Sequence, residues 1–307
     1  MKGDSWVNWY KEYKDQWKEI IETVAAETRR TTLTVEKDTV QSMFLFELSK
    51  CDIPFVFKGG TSLSKAYGLI DRFSEDIDLS ASGKLSESER KSAKAIITSI
   101  ADTIGLVLIN PDDVLSRHSY NKYVFEYASL FSEIPMEIIV ETSFYQAVYP
   151  VETHKVGSFI GDFCERLAIK LPVPFEASSF AMPVQSLERT FIDKVFAVCD
   201  YRIQDMQDRD SRHLYDIAKI LPHIAFTPAL YTLVKEVRAD RMKSQNNPSA
   251  KPQYDIPKML KEIIRSRFYE SDYNSITKKL LYEDVSYDEA IKNGISRVSE
   301  TDLFQGN

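Results

Sequence analysis

Lys58-Gly59-Gly60-Thr61-Ser62 and, sixteen positions past Gly60, Asp76-Ile77-Asp78 are the residues of this chain whose types and spacing could do chemistry. The apolar run Ile53 to Phe57 ends in two glycines and two hydroxyls, a composition with which a buried strand turns sharply into a helix N-terminus. There, backbone N–H groups and the helix dipole favour an anion such as a phosphate. Asp76 and Asp78 alternate with Ile77 and Leu79, so on a strand both carboxylates face one side and both apolar side chains the other. Two hard oxygen ligands that close together suit magnesium. A phosphate cradle beside such a pair is what metal-assisted transfer from a nucleoside triphosphate needs. Taken singly, a Gly-Gly-Thr-Ser run is an ordinary turn and an Asp-x-Asp pair a solvated strand edge. The intervening residues leave room for a short helix from Ser62 to about Leu69, a turn at Asp71 and a returning strand, which can bring the two together. A P-loop does not fit, because its lysine follows the second glycine whereas Lys58 precedes the pair.

The run from Lys58 to Lys65 followed by Arg72-Phe73-Ser74-Glu75-Asp76-Ile77-Asp78-Leu79 resembles the AbiEii/AbiGii group of nucleotidyltransferase toxins in the polymerase-β-like superfamily. The resemblance extends over residues from about 38 to 222 and is most specific from Lys58 to Leu79. It implies an α+β fold, with a small mixed sheet and N-terminal helices in a nucleotidyltransferase core (1–185) and a helical domain (186–307) completing the active-site cleft. It further implies a third carboxylate on a later strand. In the run Ile134 to Phe144, Met136, Ile138 and Val140 share one face and Glu137, Ile139 and Glu141 the other; Glu137 is the candidate and Glu141 its reserve.

A lysine and an aspartate from the helical region complete the implied set. Lys194, six residues after Glu188, resembles the family's lysine, although spacing alone reads it as a surface lysine whose stem covers apolar neighbours. Arg212-His213-Leu214-Tyr215-Asp216-Ile217 resembles Arg-Asp-x-x-Asp-Leu, with His213 in place of the first aspartate and Asp216 as the second. Spacing alone pairs Asp216 with Arg212, four residues earlier. By resemblance, Asp76, Asp78 and Glu137 hold two Mg2+ ions, and Lys58, Gly59, Gly60, Thr61, Ser62, Arg72 and Ser74 bind the NTP. Lys58 and Lys194 then oppose charge on the leaving pyrophosphate, and Asp216 orients Lys194 or the acceptor. The implied protein is a cytoplasmic toxin of a bacterial toxin–antitoxin or phage-defence pair that adds a nucleoside monophosphate to RNA such as the tRNA 3′ end. A cognate antitoxin is its expected partner; membrane and DNA are not. Nucleotidyltransferases acting on a small molecule, of the antibiotic-modifying kind, or on a protein share this core, because acceptor choice lies outside it.

The elements that must position these residues are also legible. At 307 residues, 43% hydrophobic and 28% charged, the chain can bury a full core and is not a disordered one. Cys51, Cys164 and Cys199 are scattered in apolar contexts without metal spacing, as buried thiols of a reducing compartment would be. The net charge of −7 argues against a chain coated in nucleic acid, yet residues 155–280 carry 20 Lys+Arg against 16 Asp+Glu, leaving 19 against 30 elsewhere. Trp6, Trp9, Tyr10, Tyr13, Trp17, Ile20, Ile21 and Val24 recur at helical spacing. Helices are expected over Val35–Ser49, from Ser86 to near Gly105, and over Leu187–Tyr201, Leu230–Met242 and Ile256–Phe268, with strands at 106–109, 123–127 and 134–144. Between Gly157 and Met182 the pattern is weak, and the domain boundary falls at 183–186. Tyr269, Tyr273 and Tyr282 interleave with Arg265, Arg267, Lys278 and Lys279, which suits either helix packing or stacking on single-stranded RNA.

Overall fold

The computed structural model describes residues 12–115, 118–145, 148–173 and 175–305. Trp6, Trp9 and Tyr10 lie outside them. The chain divides into two compact units, Met1–Gly68 with Phe73–Gln185, and Leu69–Arg72 with Ser186–Asn307.

The first unit opens with α1 (Lys14–Thr28) and α2 (Thr32–Ser49), and continues through β1 (Phe55–Lys58), α3 (Gly59–Lys65), β2 (Asp76–Ala81), α4 (Glu87–Thr103) and β3 (Val107–Leu108). It closes with β4 (Tyr120–Tyr127), β5 (Met136–Ser143), β6 (Val151–Gly157), α5 (Phe159–Leu167) and β7 (Ser179–Gln185). The strands form one mixed sheet in the order β3-β4-β5-β2-β1-β7-β6. β2 runs antiparallel to β1 and parallel to β5, and β1 runs parallel to β7. The mixed sheet bears out the expected α+β class.

Alternation sorts this sheet into two faces. Phe55 and Phe57, Ile77 and Leu79, Tyr123 and Phe125, and Ile138 and Val140 are buried in a core that Phe44 and Leu45 of α2 and Trp17 of α1 complete. Each fully buried apolar side chain of this size contributes about 1.5–3 kcal/mol, and a one-residue slip of any strand would turn its apolar set outward. Lys58, Asp76 and Asp78 are thereby held on the opposite face.

Two local expectations are corrected. The helix after β1 begins on the glycines themselves and ends at Lys65, rather than running from Ser62 to about Leu69. Gly59 accommodates this with φ +76°, a conformation costly for other residues. The weakly patterned stretch before 183 contains α5 and most of β7. β7 reaches Pro183 while paired with β6, opposite Thr153.

The second unit is built on α6 (Leu187–Ile203), α7 (Arg212–Ile220), α8 (Pro228–Arg241) and α9 (Ile256–Ser266), followed by short helical turns up to Ser299. Ser186 caps α6 through the Arg189 amide. Phe191 and Phe196 pack on Phe304 with ring centroids 6.2 and 5.6 Å apart. Tyr269 and Tyr273 are buried and donate to the carbonyls of Val198 and Val285, so these two aromatics are packing residues.

Candidate active site

β1 and β2 are registered with Lys58 opposite Asp78, so this cation and both carboxylates of Asp76-Ile77-Asp78 share a face of the sheet. The glycine turn meets them directly: a Cβ added to Gly59 would lie 2.0 Å from Oδ2 of Asp78. Gly59 therefore combines two things that a side chain would oppose, taking a positive φ without strain and leaving the Asp78 carboxylate its place. Gly59→Ala is expected to displace Asp78 and lower transfer about 100-fold or more, the usual cost of misplacing a reacting group by an ångström. Left-handed strain should cost about 1–2 kcal/mol of stability as well. Nucleotide incorporation and thermal unfolding of the variant check both.

Thr61 and Ser62, expected among the nucleotide ligands, are buried with their hydroxyls turned inward. Thr61 Oγ1 donates to the Asp76 carbonyl at 2.5 Å and Ser62 Oγ to the Gly59 carbonyl at 2.9 Å. The Thr61 bond ties α3 to the start of β2 and so sets where the first carboxylate begins. Ser74 precedes that strand; Gln41 Nε2 of α2 donates to the Glu75 carbonyl at 2.8 Å and reaches the Ser74 carbonyl at 3.5 Å. Sequence reasoning missed Gln41, one of several polar residues that α2 buries. It also missed Lys65, the last residue of the glycine motif, whose buried ammonium bonds Asp38 and Ser42 at 2.5 and 2.7 Å and pins α3 to α2.

The parallel pairing of β2 with β5 sets Asp76 beside Ile139 and Asp78 beside Glu141. Glu137, on the same face of β5, lies two residues beyond Ile139, opposite Glu126 of β4. Glu141 has a partner on β4: Lys122 Nζ stands 3.7 Å away. Burial, with Glu141, Asp78 and Asp76 adding to it, pushes the Tyr120 hydroxyl up to about 12, so it remains a protonated donor. Among the described residues, no three His, Cys, Asp or Glu side chains stand close enough to hold a metal ion. In chemistry the set fits one nonetheless, because Asp76, Asp78 and Glu141 are hard oxygen donors on adjacent registered strands.

The second unit gathers Arg72, Lys194, His213 and Asp216. Arg72 forks onto Asp216, its Nε 2.7 Å from Oδ1 and its Nη2 2.8 Å from Oδ2, and Lys194 Nζ donates to Oδ2 at 2.6 Å. Arg72 and Lys194 are 3% and 6% exposed and Asp216 0%. Lys194 is thus no surface lysine, and Arg212 pairs with Asp210, Nη2 to Oδ1 at 2.9 Å. One carboxylate is shared by two basic side chains; burial, with Arg72 beside it, lowers the Lys194 ammonium from its usual range although Asp216 works the other way. Burial works to raise the Asp216 carboxyl, but Arg72 and Lys194 outweigh it and hold it well below the usual range. The segment carrying Arg72 is stitched in by its backbone: the Asp71 amide donates to the Tyr215 hydroxyl and the Asp71 carbonyl accepts from the Tyr282 amide, both at 2.9 Å.

Lys194 Nζ also lies 3.3 Å from Nδ1 of His213, which replaces the acid the motif suggested. Burial, aided by Lys194, pushes His213 from 6.5 down to about 4, so at neutral pH it is an uncharged acceptor. An unfolded histidine protonates near 6.5 and the folded one only near 4, so stability falls as pH drops through that window, by up to about 3 kcal/mol. Denaturant unfolding across pH should show this slope in the native protein and a flatter one in His213→Gln.

With this geometry in hand, the family described as "Nucleotidyl transferase AbiEii toxin, Type IV TA system" matches residues 43–293. Among solved structures, JHP933 from Helicobacter pylori is 18% identical, with 87% of this chain and 91% of that one aligned and a TM-score of 0.46. The nucleotidyltransferase toxin MenT4 from Mycobacterium tuberculosis is 16% identical, with 94% and 90% aligned and a TM-score of 0.49. No curated protein matches the chain.

Proposed function

Since this chain belongs to the AbiEii nucleotidyltransferase toxin family of type IV toxin–antitoxin systems, we propose that it transfers a nucleoside monophosphate from an NTP to an RNA acceptor, the 3′ end of tRNA being the favoured class. The observation that carries the reading is the alignment of Asp76, Asp78 and Glu141 on adjacent strands, beside a glycine turn whose missing Cβ gives the Asp78 carboxylate its place. Glu141, rather than Glu137, is the third carboxylate in this reading, because it is the one registered with Asp78.

Asp76, Asp78 and Glu141 would hold Mg2+, two ions by the family pattern, and bound there the metal would supply Lewis-acid activation of the acceptor hydroxyl and charge neutralisation on the triphosphate. Lys58, on the same face, attracts the triphosphate, and the Gly59-Gly60 turn lets backbone approach it closely. Thr61 and Ser62 serve by holding the turn to β2, and Ser74 by the carbonyl that Gln41 reaches. Arg72 and Lys194 supply positive charge for the leaving pyrophosphate, and Asp216 keeps both side chains in place.

Lys194→Met is expected to lower turnover by about 10²–10³-fold while leaving thermal stability nearly unchanged, since Asp216 keeps both bonds from Arg72. Lys194→Arg should restore part of the activity at most, because arginine keeps the charge but not the reach. Wild-type turnover by the methionine variant would remove Lys194 from the site.

Incubating the protein with each α-labelled NTP and total bacterial RNA tests the whole reading. Label in a discrete small-RNA band, mapped to 3′ ends, is the expected result. Label confined to protein or to a small-molecule fraction would transfer the chain to another acceptor class. A cognate antitoxin that suppresses the labelling, and a cytoplasmic site of action with a role against phage, complete the proposal.

A further inference from the structure

We propose that Ile139, Val124 and Ile109 form an apolar row on which the terminal base of the RNA acceptor lies, bringing the ribose of that nucleotide to Asp76. The inference rests on the proposed reading that this face of the sheet transfers a nucleotide to RNA. Register places the row. Ile139 of β5 stands beside Asp76 on one side and opposite Val124 of β4 on the other. The Ile109 amide, one residue past β3, donates to the Val124 carbonyl at 2.9 Å and so extends the ladder. Paired residues share a face of a sheet, so these side chains continue sideways from Asp76 on the face that carries the carboxylates. Their sequence neighbours Phe125 and Leu108 turn the other way, to the core. The row is open: Ile109 is 43% exposed, and Val124 and Ile139 are half-buried. A lone exposed apolar side chain is ordinary, but apolar side chains in register across adjacent strands make a continuous strip.

Two further observations say what covers it. Lys58 and the glycine turn, the triphosphate side in the proposed reading, belong to β1, whereas the row leaves β2 through β5, on the opposite flank of Asp76 and Asp78. In-line displacement puts the attacking hydroxyl and the leaving pyrophosphate on opposite sides of the α-phosphorus, which gives the β5 flank to the acceptor. Charge then selects the part of the acceptor that lies there. Glu137 and Glu126 are the next pair on this face, Glu137 exposed, and such acids oppose phosphates. A nucleobase is uncharged and flat, and it gains by burying its face. An unpaired terminal nucleotide therefore fits the row, and a length of RNA backbone does not.

Binding of short single-stranded RNA to the full-length protein, followed by fluorescence anisotropy with Mg2+ and without NTP, tests this apart from turnover. One strand ends in an unpaired adenosine and the other, otherwise identical, in an abasic ribose that keeps both hydroxyls. Wild type should bind the adenosine strand about tenfold more tightly, the worth of a base laid on partly exposed aliphatic side chains. Ile109→Ser and Val124→Thr, singly and together, should bring the adenosine strand down towards the abasic one and leave the abasic affinity where it was. Val124→Thr keeps the β-branched shape and Ile109 lies outside the core, and thermal unfolding checks that both variants fold as wild type does. A preference for the base that survives in the double variant would overturn the inference, as would an equal loss on both strands. So would a raised KM for the NTP with the base preference intact, which would give the row to the incoming nucleotide. Labelling from α-labelled NTP keeps the two proposals apart. If total bacterial RNA takes the label while wild type ignores the terminal base, only the platform fails; if protein or small molecules take the label and RNA does not, the RNA reading fails and the platform with it.

Discussion

An Asp78→Asn protein is expected to fold normally and to transfer nucleotide about 10³-fold or more slowly than wild type. Asparagine has almost the shape of aspartate, so the close fit against Gly59 and the β2 register with Lys58 and Glu141 are retained. What is lost is one of the negative charges that, in the proposed reading, would hold a cation on this face of the sheet. A single preorganised charge at a reacting centre is worth about 10²–10³ in turnover, and a ligand on which metal affinity also depends is worth more. Asp76→Asn should behave alike. Circular dichroism, thermal unfolding and single-turnover incorporation at raised Mg2+ separate a lost fold from a lost site. Undiminished transfer in either variant would dismiss the metal assignment.

Asp216→Ala should do the reverse and damage the fold first. It takes from Arg72 and Lys194, both nearly fully buried, the carboxylate they share. Removing one partner from a buried ionic cluster costs about 3–5 kcal/mol, because the remaining charges cannot recover their hydration. Lys194→Met should cost far less, because one cation and one carboxylate remain paired by two bonds. Unfolding in urea would show the contrast, and equal losses from the two variants would contradict it. Because Asp216 is depressed in the fold, its contribution is complete at neutral pH and disappears only as pH falls below the normal carboxylate range.

The parts of the site that could be read from the sequence are those whose geometry is local. Two glycines after an apolar run fixed the turn, and a two-residue spacing put Asp76 and Asp78 on one face. The nucleotidyltransferase family and the α+β class followed from these few residues and are borne out. Glu137 and Glu141 could not be ordered in the same way, because both fall on one face of β5 and only the pairing with β2, some sixty residues away in the chain, distinguishes them. The fork of Arg72 on Asp216 spans 144 residues and left no local trace. Nearer at hand, the Arg212 alternative looked as good by spacing, yet Arg212 pairs with Asp210. β6 escaped notice because its Val-Glu-Thr-His-Lys-Val run is mostly polar, as the outermost strand of a sheet can be. The Thr61 and Ser62 hydroxyls donate to the carbonyls of Asp76 and Gly59, a direction that a string of residue types does not encode.

Leu69–Arg72 belongs to the second unit although the chain reaches it before the first is half made, so the polypeptide passes from one unit to the other three times. A ribosome adding about 5–20 residues per second needs roughly 7–30 s to proceed from Arg72 to Asp216. For that interval the guanidinium has no carboxylate to close on and the helical unit lacks a piece of its own interior. A gene cut between codons 185 and 186 would therefore not yield two independent products: the upstream fragment would keep four residues that the downstream fragment requires.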